Sequence, residues 1–177
     1  QGGQLRFVDP RTFGELFVAT PDEVTSEIPE LSELGVDPVE APMSWVDFGH
    51  LLRRKPMKLK AFLMDQSLIA GIGNIYSDEI LFDAGLRYDR DTASLTTQEI
   101  RRLYRSLVEI LHEAIKYGGS TLADAQYVDL NGKPGEYQQH HQVYDREKQP
   151  CRRCRRHDIV KSKFSGRSTF YCDVCQV

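Results

Sequence analysis

Apolar residues recur at every third or fourth position through the middle of the chain, which is the spacing of one face of an α-helix. This pattern predicts a helix over residues 45–53 with Ser44 as its N-cap, and a second helix over residues 57–64. It also predicts the longest helix, over residues 97–116, because Thr96 and Glu99 have the spacing of a capping box. The predicted apolar stripe of that helix is Ile100, Leu103, Leu107, Val108, Leu111, Ala114 and Ile115.

A further helix is predicted over residues 75–84, after the glycine-rich corner Gly71-Ile-Gly-Asn-Ile-Tyr76. We expect Asn74 to be its N-cap and Gly85 to end it. Asp78 and Glu79 would then lie in its first turn, where acidic side chains favour the positive end of the helix dipole.

Outside this helical region the pattern changes. Residues 5–8 and 15–19 are rich in β-branched and aromatic residues and predict two short strands. Residues 20–42 predict an acidic connector with one short helix, and residues 120–145 predict loops with a turn at Asn131-Gly132. The predicted fold class is therefore mainly α with a small amount of β.

All four cysteines lie in the last 27 residues as two Cys-x-x-Cys pairs, Cys151/Cys154 and Cys172/Cys175, which are 17 residues apart. This spacing predicts a tetrahedral site in which four thiolates hold one Zn²⁺. Four protein ligands leave no coordination position for a substrate, so we expect the zinc to be structural. The intervening segment would become a stiff β-hairpin with Arg167 near its tip.

Charge is distributed unevenly along the chain. Residues 146–177 hold nine Lys and Arg against three Asp and Glu, whereas residues 1–145 hold fourteen against twenty-three. A basic C-terminal module on an acidic body is typical of proteins that bind a polyanion with one face. The alternative explanation of this charge distribution is a solvated surface of mixed charge. A zinc-stiffened ribbon with five cations is typical of phosphate-binding proteins. These cations are Arg155, Arg156, Lys161, Lys163 and Arg167.

Two other segments have the residue types of a nucleic-acid site. The glycines of the corner let the backbone approach a partner closely, and the helix after Asn74 offers free N–H groups to a phosphate. The alternative is an ordinary corner between two helices, in which glycine is needed for packing. A dense basic run covers residues 53–60, on the other side of one short helix. Near the N-terminus, Arg11 and Phe13 are two residues apart, so an extended segment would place them on the same side. An arginine can bind the edge of a base and a phenyl ring can insert between stacked bases, so this pair could contact DNA. The alternative is a hairpin turn in which Phe13 is buried.

The sequence also excludes some classes of protein. No apolar run approaches the roughly 20 residues that span a membrane, and no signal peptide is recognisable. Paired cysteines without others favour a reducing compartment. The chain begins at Gln1 and runs at once into strand-like sequence, so we expect it to be a piece of a longer protein.

Taken together, these motifs resemble the C-terminal part of the bacterial formamidopyrimidine-DNA glycosylases, base-excision repair enzymes that remove oxidised purines such as 8-oxoguanine and then cut the strand. The matching segments lie in the family's order at residues 9–14, 63–76, 131–135 and 151–176. The resemblance implies the last strands of an N-terminal β-sandwich catalytic domain in residues 1–19 and a linker over residues 20–42. It further implies a helix-two-turn-helix DNA-binding domain over residues 43–145, with a lesion-covering loop near residues 128–137, and a zinc finger over residues 146–177.

The resemblance also implies roles for individual residues. Arg11 is similar to the arginine that faces the orphaned cytosine, and Phe13 to the wedge that fills the gap left by the flipped base. Arg167 matches the zinc-finger arginine that holds phosphates and donates a proton during β,δ-elimination. The residues expected to contact DNA phosphates or to lie on the loop over the lesion are Lys55, Lys60, Asn74, Tyr76 and Lys133. The implied partner is damaged double-stranded DNA, bound by a monomer in the bacterial cytoplasm, at the nucleoid during repair.

One part of the family's pattern has no counterpart in these 177 residues. Its nucleophile is an N-terminal proline amine with an acidic neighbour, and Gln1 has neither feature. We therefore expect this chain to bind DNA weakly and not to excise bases. The alternatives are a non-catalytic zinc-ribbon module that binds nucleic acid, an adaptor that docks on another protein, and an endonuclease VIII-like glycosylase for oxidised pyrimidines. Residues 9–14 and 131–135 favour the purine-specific branch.

Overall fold

The computed structural model of the chain describes residues 3–9, 12, 14–123 and 127–177. The chain divides into a small unit, residues 1–33, and a larger unit, residues 34–177. None of the helices described combines the length and the apolarity that crossing a bilayer requires.

Among the described residues of the small unit, the regular structure consists of two one-turn helices, α1 (Val24–Glu27) and α2 (Pro29–Ser32). The two strands predicted at residues 5–8 and 15–19 do not form, since neither segment has a β-ladder. A strand is stable only when a neighbour pairs its backbone and something covers one of its faces. The described residues of this unit offer neither, and the apolar side chain of Val18 is 97% exposed.

The larger unit begins with two of the predicted helices, α3 (Trp45–Arg54) and α4 (Leu59–Met64). The prediction of α3 is confirmed, and the Ser44 side chain accepts a hydrogen bond from the Asp47 N–H at 3.2 Å. Helix α4 starts two residues later than predicted, because Met57 is held extended by Thr92, whose backbone N–H donates to the Met57 carbonyl at 2.8 Å.

Helix α5 (Asn74–Ala84) differs from the prediction at its first turn. Gly73 is the N-cap and Asn74 is the first helical residue, so the expectation that Asn74 caps the helix is wrong. Asp78 and Glu79 consequently lie beyond the first turn and are buried, which corrects the expectation that they complement the helix dipole. Gly85 ends the helix in the left-handed conformation, with φ 66°, as predicted.

Helix α6 (Thr97–Lys116) confirms the predicted capping box, because both reciprocal hydrogen bonds between Thr96 and Glu99 are present. Most of its predicted stripe faces the core, whereas Ile115 is 58% exposed. The helix ends before Gly118, which has φ 69°.

The main hydrophobic core lies among α3, α4, α5 and α6, and α5 is its central helix because it contacts α4, α6 and the C-terminal hairpin. Residues on nearly all sides of α5 are buried, including Ile80 and Leu81 at 0% exposure. A second cluster connects α5 to the C-terminal segment, and its members are Phe82, Val143, Cys151, Ile159, Phe170 and Cys172.

The C-terminal segment contains one antiparallel hairpin of strands β1 (Val160–Phe164) and β2 (Arg167–Tyr171), paired from Val160↔Tyr171 to Phe164↔Arg167. Its two-residue turn has positive φ angles, 48° at Ser165 and 77° at Gly166, which match the right-handed twist of the strands. The described residues thus form a mostly helical protein with one small antiparallel hairpin, which confirms the predicted fold class at this level.

Candidate zinc centre and nucleic-acid interface

The four cysteines converge at the base of the hairpin, and their Sγ atoms all lie within 4.8 Å of one another. The Cys151–Cys175 and Cys154–Cys172 Sγ pairs are each 3.8 Å apart. A tetrahedron with Zn–S bonds of about 2.3 Å has S···S edges of about 3.8 Å, whereas a disulfide needs about 2.05 Å. The donor set therefore fits one structural Zn²⁺ held by four thiolates, as the sequence predicted.

The hairpin is joined to the helical core through the carboxylate of Asp78, which is 1% exposed. Its Oδ1 atom accepts hydrogen bonds from Lys60 Nζ at 2.7 Å and from the Thr169 hydroxyl at 2.6 Å. Its Oδ2 atom accepts the Phe170 backbone N–H at 3.0 Å. One buried side chain thus contacts α4 and two consecutive residues of β2.

Lys60, which the resemblance assigns to a phosphate contact, is 0% exposed. Its ammonium group forms an ion pair with Asp78 inside the protein. Burial lowers the pKa of Lys60 and raises the pKa of Asp78, because it penalises both charged forms, and the attraction within the pair opposes both shifts. The positive charge of Arg167 makes a smaller contribution that also lowers the pKa of Lys60.

Arg167 is exposed at the start of β2, directly after the hairpin turn. It borders a cleft of about 230 Å³ between the hairpin tip and α4, lined by Ala61, Met64, Phe164, Ser165 and Arg167. The guanidinium therefore lies at the rim of a concave surface that solvent reaches.

The glycine-rich corner meets the same strand. Asn74 Nδ2 donates a hydrogen bond to the Ser168 carbonyl at 3.0 Å, which brings the N-terminus of α5 beside the residue that follows Arg167. Asn74 Oδ1 is buried without a hydrogen-bond partner in the part of the chain that the structure describes. Gly71 has φ 87° and open space around it, so its backbone conformation, not crowding, favours glycine there. The first N–H groups of an α-helix have no acceptor within the helix, so those of α5 are candidate donors to an anion.

Tyr76 lies further along α5 in a chain of polar contacts. Its hydroxyl is 3.3 Å from Ser120 Oγ, which is 2.9 Å from His141 Nε2. The His141 ring is 3% exposed, and burial lowers its pKa to about 4. Tyr137 packs against both rings, with centroid distances of 5.7 Å to Tyr76 and 5.7 Å to His141.

Lys55 is exposed at the C-terminal end of α3, and Lys133 is exposed in the loop that precedes residue 137. Neither is joined to Arg167 by a hydrogen bond or an ion pair in the described residues. The Lys133 backbone N–H donates to Asp129 at 2.8 Å, and this bond lowers the pKa of the Asp129 carboxyl. Arg11 and Phe13, the candidate base-contacting residues, lie outside the described residues.

Glu79 is a buried carboxylate whose role the sequence analysis missed. It accepts the backbone N–H groups of Gln142, Val143 and Tyr144 at 2.8, 3.0 and 2.8 Å, and so fixes the segment that leads into the finger. Burial raises its pKa, and the three N–H donors oppose that shift. The available signal was an Asp-Glu pair within an otherwise apolar helical segment, because an acidic residue in a buried helix requires a partner.

The fold and the site define a helical protein that carries a C-terminal zinc finger. The sequence family described as "Formamidopyrimidine-DNA glycosylase H2TH domain" matches residues 34–126, and the one described as "Zinc finger found in FPG and IleRS" matches residues 148–177. The first match covers more than half of the chain. The chain belongs to the formamidopyrimidine-DNA glycosylase family.

Individual relatives agree with this assignment. The chain is 45% identical over 176 residues to a formamidopyrimidine-DNA glycosylase of Thermus thermophilus, covering 99% of this chain and 65% of that protein. It is 41% identical over 175 residues to the formamidopyrimidine-DNA glycosylase of Desulfitobacterium hafniense, covering 99% of this chain and 63% of that protein. The chain therefore spans just under two thirds of the length of these relatives.

Solved structures show the same similarity. The crystal structure of the MutM (Fpg) protein from Thermus thermophilus has a TM-score of 0.87 and 46% identity, covering 95% of this chain and 62% of that one. The Lactococcus lactis Fpg in complex with DNA that contains an abasic site has a TM-score of 0.78 and 36% identity, covering 88% of this chain and 56% of that one.

Proposed function

We propose that this chain is the DNA-binding portion of a DNA glycosylase and AP lyase that removes oxidised purines, 8-oxoguanine and formamidopyrimidine, and cleaves the strand by β,δ-elimination. The observation that carries the proposal is the placement of Arg167 beside the N-terminus of α5, which the 3.0 Å bond from Asn74 to Ser168 maintains. A guanidinium and free helix N–H groups on one surface are two independent phosphate-binding devices.

The chemistry of such an enzyme needs these devices. Rotating a nucleotide out of the duplex costs a few kcal/mol of unstacking, which contacts to the bent backbone must offset. Elimination at the abasic sugar expels phosphate anions, and a fixed guanidinium stabilises the charge that develops. Arg167 is the residue that we assign to this role and to proton donation in the elimination.

The remaining candidates belong to the same proposal. We assign Asn74, Tyr76 and Lys55 to the phosphates around the lesion, Lys133 to the loop over the extruded base, and Arg11 and Phe13 to the orphaned base and the gap. Lys60 contributes from inside the protein, through its ion pair with Asp78.

At the level of domains, we place residues 1–19 in the β-sandwich catalytic domain of the enzyme, residues 20–42 in a linker, and residues 43–145 in a helix-two-turn-helix domain. Residues 146–177 then form the finger. A monomer acting on damaged double-stranded DNA in the bacterial cytoplasm, at the nucleoid during repair, is consistent with the bacterial relatives.

The first test measures the affinity of the chain for a duplex with an abasic-site analogue as salt is varied. Arg167→Ala should weaken binding about tenfold to a hundredfold, because charge-assisted hydrogen bonds contribute about 1.5–3 kcal/mol. It should also reduce the slope of log K against log salt by about 0.9 for each phosphate that the variant no longer neutralises.

The matched control is Arg105→Ala, at an exposed arginine of α6 whose side chain pairs with Glu109 at 3.7 Å. Arg105 is not among the cations to which phosphate binding is assigned. The control variant should bind as the wild type does. Equal losses for both arginines would show diffuse attraction and no defined phosphate site. A wild-type affinity that does not change with salt would reject the proposed function.

A further inference from the structure

We infer that Asp78 is the positioning residue that sets the register of β2 and thereby aims the Arg167 guanidinium at the surface formed by the N-terminus of α5. This inference rests on the proposed function, because it concerns how the DNA-binding arginine is held. Asp78 itself is 1% exposed and takes no part in contacting DNA.

The hydrogen bonds of Asp78 are specific to one register of the strand. Its two oxygens receive a side-chain hydroxyl from Thr169 and a backbone N–H from Phe170, at 2.6 and 3.0 Å. A slip of β2 by one residue would turn every side chain to the opposite face and would take the Thr169 hydroxyl away from Asp78. The hydroxyl bond from Thr169 to the carboxylate therefore adds to the two-residue turn and the hairpin ladder in setting the register of β2.

The register decides where Arg167 points. Arg167 and Thr169 are two residues apart on β2, so their side chains leave the same face of the strand. Thr169 is 0% exposed and its hydroxyl bonds to Asp78, so this face of β2 packs against α5. The Arg167 side chain projects from the same face, at the end of the strand where the surface is open. The bond from Asn74 to the Ser168 carbonyl fixes the residue between them. Three consecutive residues of β2 are thus attached to one helix.

The charge of Asp78 is as necessary as its shape. The Lys60 ammonium is fully buried and pairs with the same carboxylate oxygen that accepts the Thr169 hydroxyl. A neutral side chain at position 78 would leave the buried Lys60 ammonium without a counter-ion, which disfavours the packing of α4 and β2 around it. Asp78 therefore holds the strand of Arg167 by hydrogen bonds to Thr169 and Phe170 and by neutralising the lysine that is buried against it.

The test is a double-mutant cycle on DNA affinity that uses Asp78→Asn, Arg167→Ala and both changes together. Asp78→Asn should preserve zinc stoichiometry and helical content but weaken binding at least tenfold. Arg167→Ala should then cost less than twofold in the Asp78→Asn background, against tenfold or more in the wild type. A full Arg167→Ala effect in both backgrounds would overturn the inference.

Asp78→Asn leaves a buried ammonium group, so a second background is Asp78→Asn with Lys60→Met, which removes both charges. The same loss of the Arg167→Ala effect is expected there.

The matched control is Glu79→Gln, at the adjacent buried carboxylate, which holds residues 142–144 and makes no bond to the described residues of β2. It should lower thermal stability while the Arg167→Ala effect on DNA affinity stays at its wild-type size. A control that abolishes this effect equally would show only general destabilisation and would overturn the inference.

A measurement without DNA separates this inference from the proposed function. Amide hydrogen exchange of Thr169 and Phe170 should accelerate at least tenfold in Asp78→Asn, while α6 keeps its protection. Unchanged protection of β2 would overturn the positioning role, whatever the DNA experiments give. The two hypotheses can also fail separately. If exchange in β2 accelerates in Asp78→Asn but Arg167→Ala does not change the DNA affinity of the wild type, the positioning role is supported and the proposed function is rejected.

Discussion

Each buried ionisable side chain at the centre of this protein has a partner that its position in the chain does not reveal. Asp78 pairs with Lys60, eighteen residues earlier, and Glu79 accepts three N–H groups more than sixty residues later. Such groups lose hydration when they are buried, and only specific hydrogen bonds recover that loss. His141 is a third case, since its ring is bonded to Ser120 and enclosed by Tyr137 and Tyr144.

His141 predicts a pH dependence of stability. Its folded-state pKa is about 4, below the usual 6.5, so the unfolded chain takes up a proton more readily. The stabilisation is therefore complete above pH 6.5 and is lost as the pH falls toward 4, by about 3 kcal/mol at most. Urea unfolding at several pH values measures this loss. His141→Gln should flatten the profile between pH 6.5 and 4, whereas the exposed His112→Gln should not. Equal profiles for both variants would contradict the assignment.

At the scale of elements, local sequence signals decide where helices begin and end. The reciprocal bonds of Thr96 and Glu99 start α6, and Glu99 also pairs with Arg90 at 2.6 Å. Hydrogen bonds from Arg90 are the main cause that lowers the pKa of Glu99 to about 2. The cap of α6 thus joins the helix to the preceding segment as well as satisfying its own backbone.

Neighbouring threonines provide a direct test of this cap. Thr96→Ala removes the hydroxyl that accepts the Glu99 N–H and should lower the free energy of unfolding by about 1 kcal/mol. Thr97→Ala changes an exposed residue inside the first turn and should be neutral or slightly stabilising, because alanine is the better helix former. Chemical denaturation of the two variants measures the difference. If Thr96→Ala lowers the free energy of unfolding no more than Thr97→Ala does, the role of the cap is contradicted.

For the larger unit, residues 34–177, two apolar clusters have different sources of stability. The helical cluster is built from four helices, whereas the finger cluster has few apolar members, two of them cysteines. A small cluster of this size needs a metal to be stable. Asp78 and Glu79 connect the two clusters, so the finger is attached to the helices by buried polar contacts as well as by Phe82.

Removal of zinc should therefore unfold residues 146–177 while the helical cluster persists. After treatment with a strong chelator, amide resonances of β1 and β2 should collapse to random-coil positions, and far-UV circular dichroism should retain most of its helical signal. DNA binding that depends on Arg167 should disappear at the same time. Cys154→Ser should reproduce these effects without chelator. Loss of all helical signal together with the metal would show that the two clusters fold as one unit.

Much of the fold followed from local signals in the sequence. Ser44, Thr96 and Gly85 mark helix boundaries correctly because capping depends on a few adjacent residues, and the four cysteines define the zinc site because the ion requires a fixed ligand geometry. The predicted importance of Arg167 remains a proposal, although its position at the hairpin tip is as expected.

Only the tertiary structure decided what the polar residues of α5 and the buried lysine do. Asn74 bonds to Ser168 and does not cap its own helix, Lys60 is buried and not exposed, and Asp78 receives donors from both α4 and β2. The physical reason is that a side chain's role depends on which groups surround it once water is excluded, and those groups come from segments that are distant along the chain. Local spacing fixes where helices begin, where they end and which atoms bind a metal, whereas the partner of a buried charge is set by how the elements pack.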